Sequence, residues 1–175
     1  MNIDAWLYLP EGTSQPVPCI VMSTGIGGTK DCILENYAVR FVEAGFAVQT
    51  YDYRYFGDSE GEPRQNFDVS FQLDDLRAAI EYARSRDEID PEKIALWSTS
   101  AAGGYGLVLA AEDKRIAAVI SPPLLGKNDK VKPVNFSVII EITGKLNGFA
   151  PVILEGAEIQ AIYPAVFIQI TQTGC

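Results

Sequence analysis

One serine, Ser100, stands where two apolar runs meet. Lys93-Ile94-Ala95-Leu96-Trp97 has the continuous apolar character of a buried strand. It gives way to the small residues Ser98-Thr99-Ser100-Ala101-Ala102-Gly103-Gly104, and Tyr105-Gly106-Leu107-Val108-Leu109-Ala110-Ala111 continues as a helix. A strand, a sharp turn and a helix with a serine at the corner match the G-x-S-x-G elbow, whose strained corner lifts the serine oxygen above the sheet. The residues two before and two after must be small, because strand and helix backbones nearly touch there. They are Ser98 and Ala102, with Gly103 and Gly104 keeping the helix start thin. The chemistry on offer is attack by a hydroxyl on an acyl carbonyl, with Ser100 as the catalytic nucleophile. A Ser/Ala-rich turn before a helix also occurs as a plain cap, so the rest of the chain must weigh in.

Two more loops carry candidate residues. Ser23-Thr24-Gly25-Ile26-Gly27-Gly28-Thr29-Lys30 follows the apolar run Cys19-Ile20-Val21-Met22 directly. It fits neither G-x-G-x-x-G nor a P-loop, so no nucleotide cofactor is expected. Its glycines suit a place where backbone N–H groups face a ligand, which singles out Gly25. The second loop, Tyr51-Asp52-Tyr53-Arg54-Tyr55-Phe56-Gly57-Asp58-Ser59-Glu60-Gly61, is polar and aromatic. Asp52 and Arg54 are expected to brace it as an ion pair; the alternative sets Tyr55 or Phe56 against a substrate.

The elements that would position these loops alternate. Asp4–Leu9 reads as an edge or outer strand ending at Pro10, and Cys19–Met22 as a strand buried on both faces. Residues 31–44 place Ile33, Leu34, Tyr37, Ala38, Phe41 and Val42 at helical spacing, with Gly45 as the stop. Phe46–Tyr51 is the next strand. Asp68 or Ser70 caps a helix to about Ser85, with Phe71, Leu73, Leu76, Ile80 and Ala83 as its apolar face. Asp90-Pro91-Glu92-Lys93 reads as a turn, and Ile116–Ile120 as another buried strand ended by Ser121-Pro122-Pro123. The alternation predicts an α/β fold: a doubly wound, mainly parallel sheet, with the three loops at the carboxyl ends of strands, where ligands bind in such sheets. After about residue 123 the pattern changes. Residues 126–133 are polar and lysine-rich, 136–142 and 151–154 are strand-like, and 162–170 is apolar without a polar face. The expected organisation is therefore a core over residues 1–123 and an atypical apolar, strand-like tail over 124–175, leaving the C-terminal part of the sheet incomplete.

The chain has 175 residues, 47% apolar and 21% charged, with a net charge of −9. Such a charge repels nucleic acid and anionic lipid, so neither is an expected partner. Cys19, Cys32 and Cys175 are odd in number and widely spaced, which gives neither a disulfide framework nor a zinc pattern; no metal is expected. The N-terminus lacks the charged and apolar regions of a signal peptide, no apolar run spans a bilayer, and Thr173-Gly174-Cys175 is not a peroxisomal signal. These features predict a cytoplasmic protein with reduced thiols. The chain contains no histidine.

Taken together, the loops resemble the α/β-hydrolase superfamily, in particular its fungal branch of hydrolases and polyketide acyl transferases of secondary-metabolite and toxin biosynthesis. Val21–Lys30 is similar to the H-G-x-G-G-T-K loop of that branch, with Thr24 where histidine is usual. Asp52–Ser59 is similar to D-x-R-G-x-G-x-S, with Tyr55 in place of a glycine, and Trp97–Gly104 to W-G-x-S-x-G-G. The resemblance covers residues 1–123. It implies Ser100 as nucleophile, the N–H groups of Ile26 and Ala101 as the oxyanion donors, no cofactor, and a small-molecule acyl or polyketide substrate. It also implies an acid and a histidine later in the chain, where this sequence diverges and offers no histidine. Losing the histidine of a serine triad costs about 10⁶ in kcat. Lys30 lies on the right edge to act as a substitute base, as in Ser-Lys enzymes, but the resemblance gives it no such role. The expectation is an acyl hydrolase or acyltransferase relative with little turnover from this chain; the alternative is a non-catalytic relative that binds an acyl ligand or a partner.

Overall fold

Val17-Pro18-Cys19-Ile20-Val21-Met22-Ser23 is buried along nearly its whole length, which places it at the heart of a two-sided sheet. A computed structural model describes residues 1–32 and 34–121 fully, and residues 137–141 and 165–169 as backbone. The elements in chain order are β1 (Ala5–Tyr8), β2 (Val17–Ser23), α1 (Leu34–Glu43), β3 (Ala47–Tyr51), α2 (Val69–Arg84), β4 (Ile89–Ser98), α3 (Ala101–Glu112), β5 (Ile116–Ser121), β6 (Ser137–Glu141) and β7 (Ala165–Gln169). The strands lie in the order β1-β3-β2-β4-β5-β6-β7. The pairs β3–β2, β2–β4 and β4–β5 are parallel, β1 runs antiparallel along the β3 edge, and β6 runs antiparallel to β5 with β7 parallel to it. This is the mainly parallel α/β sheet that the alternation predicts.

Helices cover both faces. On one, α1 sets Leu34 and Ala38 against Ile20, Met22, Val48, Ala95 and Trp97. On the other, Leu76, Ala79, Ile80 and Ala83 of α2 and Leu109 and Ala110 of α3 meet Cys19, Val21, Leu96, Ile116 and Val119. Full burial of a Leu, Ile or Val side chain contributes about 1.5–3 kcal/mol, so these layers hold the sheet edge rigid. Local signals set the helix ends. The Asp68 carboxylate accepts the Ser70 N–H at 2.7 Å, which selects Asp68 over Ser70 as the cap of α2. Gly45 follows α1 with φ +90°.

One local expectation is corrected. Residues 90–93 lie inside β4, where the β2 pairing steps from Val17↔Ile89 to Cys19↔Ile94. Residues that look like a turn are the extra residues of an irregularity that lengthens the strand. The strand-like segments 136–142 and 162–170 contain the backbone of β6 and β7. The polar stretch 126–133 and the expected strand at 151–154 lie outside the described residues.

Candidate functional site

β3, β2 and β4 are adjacent and parallel, so the three candidate loops leave the sheet at one edge. Ser100 ends the β4 turn with φ 55° and ψ −128°, a left-handed-side conformation that L residues rarely adopt. It sits at the cap position of α3, yet its hydroxyl makes no capping hydrogen bond, and the residue is exposed. Among the described residues the oxygen has no hydrogen-bond partner at the sheet edge. Ala101 is the first residue of α3, so its N–H is one of the helix's first-turn donors without an acceptor in the helix.

The glycine-rich loop is stitched to this turn. The Thr99 N–H donates to the Ser23 carbonyl at 3.2 Å, and the Gly25 N–H donates to Thr99 Oγ1 at 3.1 Å. One strand position lower, Ser23 Oγ and Ser98 Oγ share a hydrogen bond of 2.7 Å. Gly25 is pressed against the serine: a Cβ placed on it would lie 2.8 Å from Ser100 Cβ. Beyond it the loop turns on itself, with Thr24 Oγ1 donating to the Gly28 carbonyl at 2.8 Å and the Gly28 N–H donating to the Gly25 carbonyl at 3.1 Å. Ile26 stands at the tip, 64% exposed. The structure therefore brings Ser100, Gly25, Ile26 and Ala101 to one edge.

Lys30 closes the glycine-rich loop and does not point at Ser100's chemistry. It is 1% exposed, and its ammonium lies 2.9, 2.8 and 2.8 Å from carboxylate oxygens of Asp4, Asp52 and Asp58, with the Trp6 ring 4.8 Å away. Burial alone would lower its pKa; the hydrogen bonds to Asp52, Asp58 and Asp4 outweigh that and raise it above the usual lysine value. A lysine held charged in this way cannot take a proton from a serine. The three carboxylates also come close enough together to hold a cation, and the Lys30 ammonium is the cation they hold.

The aromatic loop departs from expectation. Asp52 and Arg54 do not pair with each other. Asp52 turns to Lys30, while Arg54 pairs with Asp75 on α2, its Nε 2.8 Å from Oδ1 and its backbone N–H 2.8 Å from Oδ2. The chain leaves β3 at Tyr51 and turns from Arg54 onward, so Asp52 stays beside Lys30 while Arg54 is carried across to α2. Phe56, read as a substrate contact, packs into the core at 8% exposure. Tyr55, with φ 70°, lays its ring 5.8 Å from that of Phe71, over which the Arg54 guanidinium also sits at 5.0 Å. Arg64 ties the loop shut by donating to the carbonyls of Gly57, Ser59 and Gly61.

Thr99 and Asp75 organise the site without having been singled out as its residues, and Lys30, weighed only as a substitute base, braces it instead. Asp75 had a legible signal: it falls among the buried positions Gln72, Leu76, Ala79, Ile80 and Ala83 of α2, and a charge on an apolar face requires a buried partner. Thr99 had none, since its role depends on the distant Gly25. No helix among the described residues is long and apolar enough to cross a membrane.

Comparison with known proteins places this geometry. Residues 1–129 match the family model described as X-Pro dipeptidyl-peptidase (S15 family). The quorum-quenching protein AidA of the bacterium Acinetobacter baumannii (strain MDR-ZJ06) is 54% identical over 121 residues, covering 69% of this chain and 40% of that protein. The polyketide transferase grgF of Penicillium sp. is 32% identical over 158 residues, covering 88% of this chain and 53% of that one. Similarity thus extends to bacterial as well as fungal proteins. Among solved structures, DcsB in complex with its substrate analogue is 31% identical with a TM-score of 0.64, covering 71% of this chain and 42% of that one. The chain spans about half or less of the length of each of these relatives. By its matched residues and its sheet, the chain belongs to the X-Pro dipeptidyl-peptidase (S15) family, of α/β-hydrolase type.

Proposed function

We propose that this chain carries the nucleophile side of an acyl hydrolase or acyl (polyketide) transferase site acting on a small-molecule ester or thioester. The single observation that carries the reading is the Ser100 turn: an exposed hydroxyl without a hydrogen-bond partner among the described residues, on a strained corner with Gly25 against it. Ser100 Oγ attacks the acyl carbon, and the carbonyl oxygen takes the charge facing the N–H groups of Ile26 and Ala101. The ester C–O or thioester C–S bond then breaks, the leaving alkoxide or thiolate takes up the proton that Ser100 gave up and departs as alcohol or thiol, and the acyl group stays on Ser100 for transfer to water or another nucleophile. A relative described as a polyketide transferase supports the substrate class, and a similar solved structure described as a complex with its substrate analogue supports a small-molecule ligand.

The serine proton needs an acceptor. The chain has no histidine, and Lys30 is held protonated by three carboxylates. Little turnover is therefore expected from these 175 residues. The same absence favours the second reading, a non-catalytic relative that binds an acyl ligand or a partner.

The test is intact-mass analysis after treatment with a fluorophosphonate probe, with Ser100→Ala as control. One adduct on Ser100, absent from the variant, supports an activated nucleophile. A folded protein that takes no adduct overturns the catalytic reading and leaves the binding one. Acyl-ligand binding that survives Ser100→Ala is then expected.

A further inference from the structure

The loop tip that carries Ile26 is a closed turn. The Gly28 N–H donates to the Gly25 carbonyl at 3.1 Å, and Gly27, third of the four residues, has φ +74°. A bond from the fourth residue to the first, with positive φ at the third, defines a type II turn and calls for glycine there. Neither the Ile26 nor the Gly27 N–H has a hydrogen-bond partner among the described residues. Ile26 is 64% exposed, so burial does not hold the tip in place.

Thr24 holds it instead. This residue is 5% exposed and directly follows the buried end of β2. Its Oγ1 donates to the Gly28 carbonyl at 2.8 Å, so both backbone polar groups of Gly28 are engaged, the N–H by Gly25 and the carbonyl by Thr24. A Cβ on Gly28 would lie 2.8 Å from Thr24 Cβ and 3.3 Å from its Cγ2, so the threonine also packs directly on the glycine. The Gly25 N–H, bonded to Thr99 Oγ1, anchors the other end of the turn. Among the described residues, Thr24 supplies the one side-chain hydrogen bond that spans the tip.

We propose that Thr24 is the positioning residue of the oxyanion donor. By pinning Gly28 it fixes the plane of the turn and with it the direction of the Ile26 N–H, so that the donor is in place before a substrate arrives. Thr24 touches no reacting atom and acts only through the turn. The purpose of this ordering rests on the acyl-transfer reading; the ordering itself rests on the geometry of the turn alone.

The experiment compares wild type with Thr24→Val, which keeps the shape and loses the hydroxyl, and with Thr24→Ser, which keeps the hydroxyl. Nitrogen relaxation of the backbone amides reads the order of the tip. Ile26 and Gly27 are expected to be rigid in wild type and Thr24→Ser, with order parameters of about 0.85, and to loosen to below about 0.6 in Thr24→Val. At a temperature where all three are folded, the fluorophosphonate adduct on Ser100 should form about 10–100-fold more slowly in Thr24→Val, and Thr24→Ser should recover most of that rate. An Ile26 amide as rigid in Thr24→Val as in wild type overturns the proposal, and so does a tip already mobile in wild type. A labelling rate unchanged in Thr24→Val, with a lowered Tm, overturns it too, because the hydroxyl then supports the fold and not the donor. An ordered wild-type tip with no adduct is the separate failure of the acyl-transfer reading; the difference in order between Thr24→Val and the other two proteins still decides the role of Thr24.

Discussion

Lys30 Nζ lies 2.8 Å from Asp52 Oδ2, and neither side chain is more than 2% exposed. The same carboxylate accepts the Lys30 backbone N–H at 2.6 Å and the Asp58 backbone N–H at 2.9 Å. Gly57 packs so closely on it that a Cβ there would overlap the carboxylate. One buried side chain thus joins the loop carrying Gly25 and Ile26 to the loop carrying Tyr55 and Phe56.

Lys30→Met removes the partner and leaves the Asp52 charge buried. The expected loss is about 3–5 kcal/mol, the usual cost of breaking a buried pair from one side. Asp52→Asn should cost less, because Asp4 and Asp58 still hold the Lys30 ammonium. Urea denaturation of the three proteins checks the order; equal losses for the two variants would show that the Asp52 charge is not the centre of the cluster.

Ser100 has φ 55° without being glycine. Such backbone strain costs about 1–3 kcal/mol, while a glycine adds roughly 0.5–1 kcal/mol of unfolded-state entropy. Ser100→Gly is therefore expected to raise Tm by about 2–4 °C while abolishing any fluorophosphonate adduct. A fall in Tm would show that the turn is relaxed as it stands.

Asp113 ends α3 and supplies the pH dependence. Burial opposes its charge, but hydrogen bonds from the Arg115 N–H and from the Arg84 and Arg115 guanidinium groups prevail and hold its carboxyl below 3.8. A carboxylate with a lowered folded pKa stabilises the fold above its unfolded value and loses that contribution as pH falls through the folded one. Between about pH 5 and about pH 3, the wild-type chain should lose stability more steeply than Asp113→Asn. Parallel pH curves for the two would remove Asp113 from the acid transition.

The sequence by itself determined the layered fold, because that information is local. Apolar runs such as Cys19–Met22 and Ile116–Ile120 demand burial on two faces, Gly45 and Asp68 punctuate helices, and the alternation of elements leaves few topologies. It also brought Gly25 and Ser100 to one sheet edge, since loops after parallel strands share an edge. Tertiary structure alone decided the partners. Asp52 sits two residues from Arg54 yet bonds to Lys30, and Arg54 reaches Asp75. Thr99 reaches Gly25 from 74 positions away. Charges and hydroxyls find partners through contacts a few ångströms long that only the packed sheet creates. Phe56 reads as a loop aromatic until the core closes over it. The physical reason is one of range: periodicity and turn chemistry act over a few residues of chain, whereas buried polar groups are satisfied by whatever the fold places beside them.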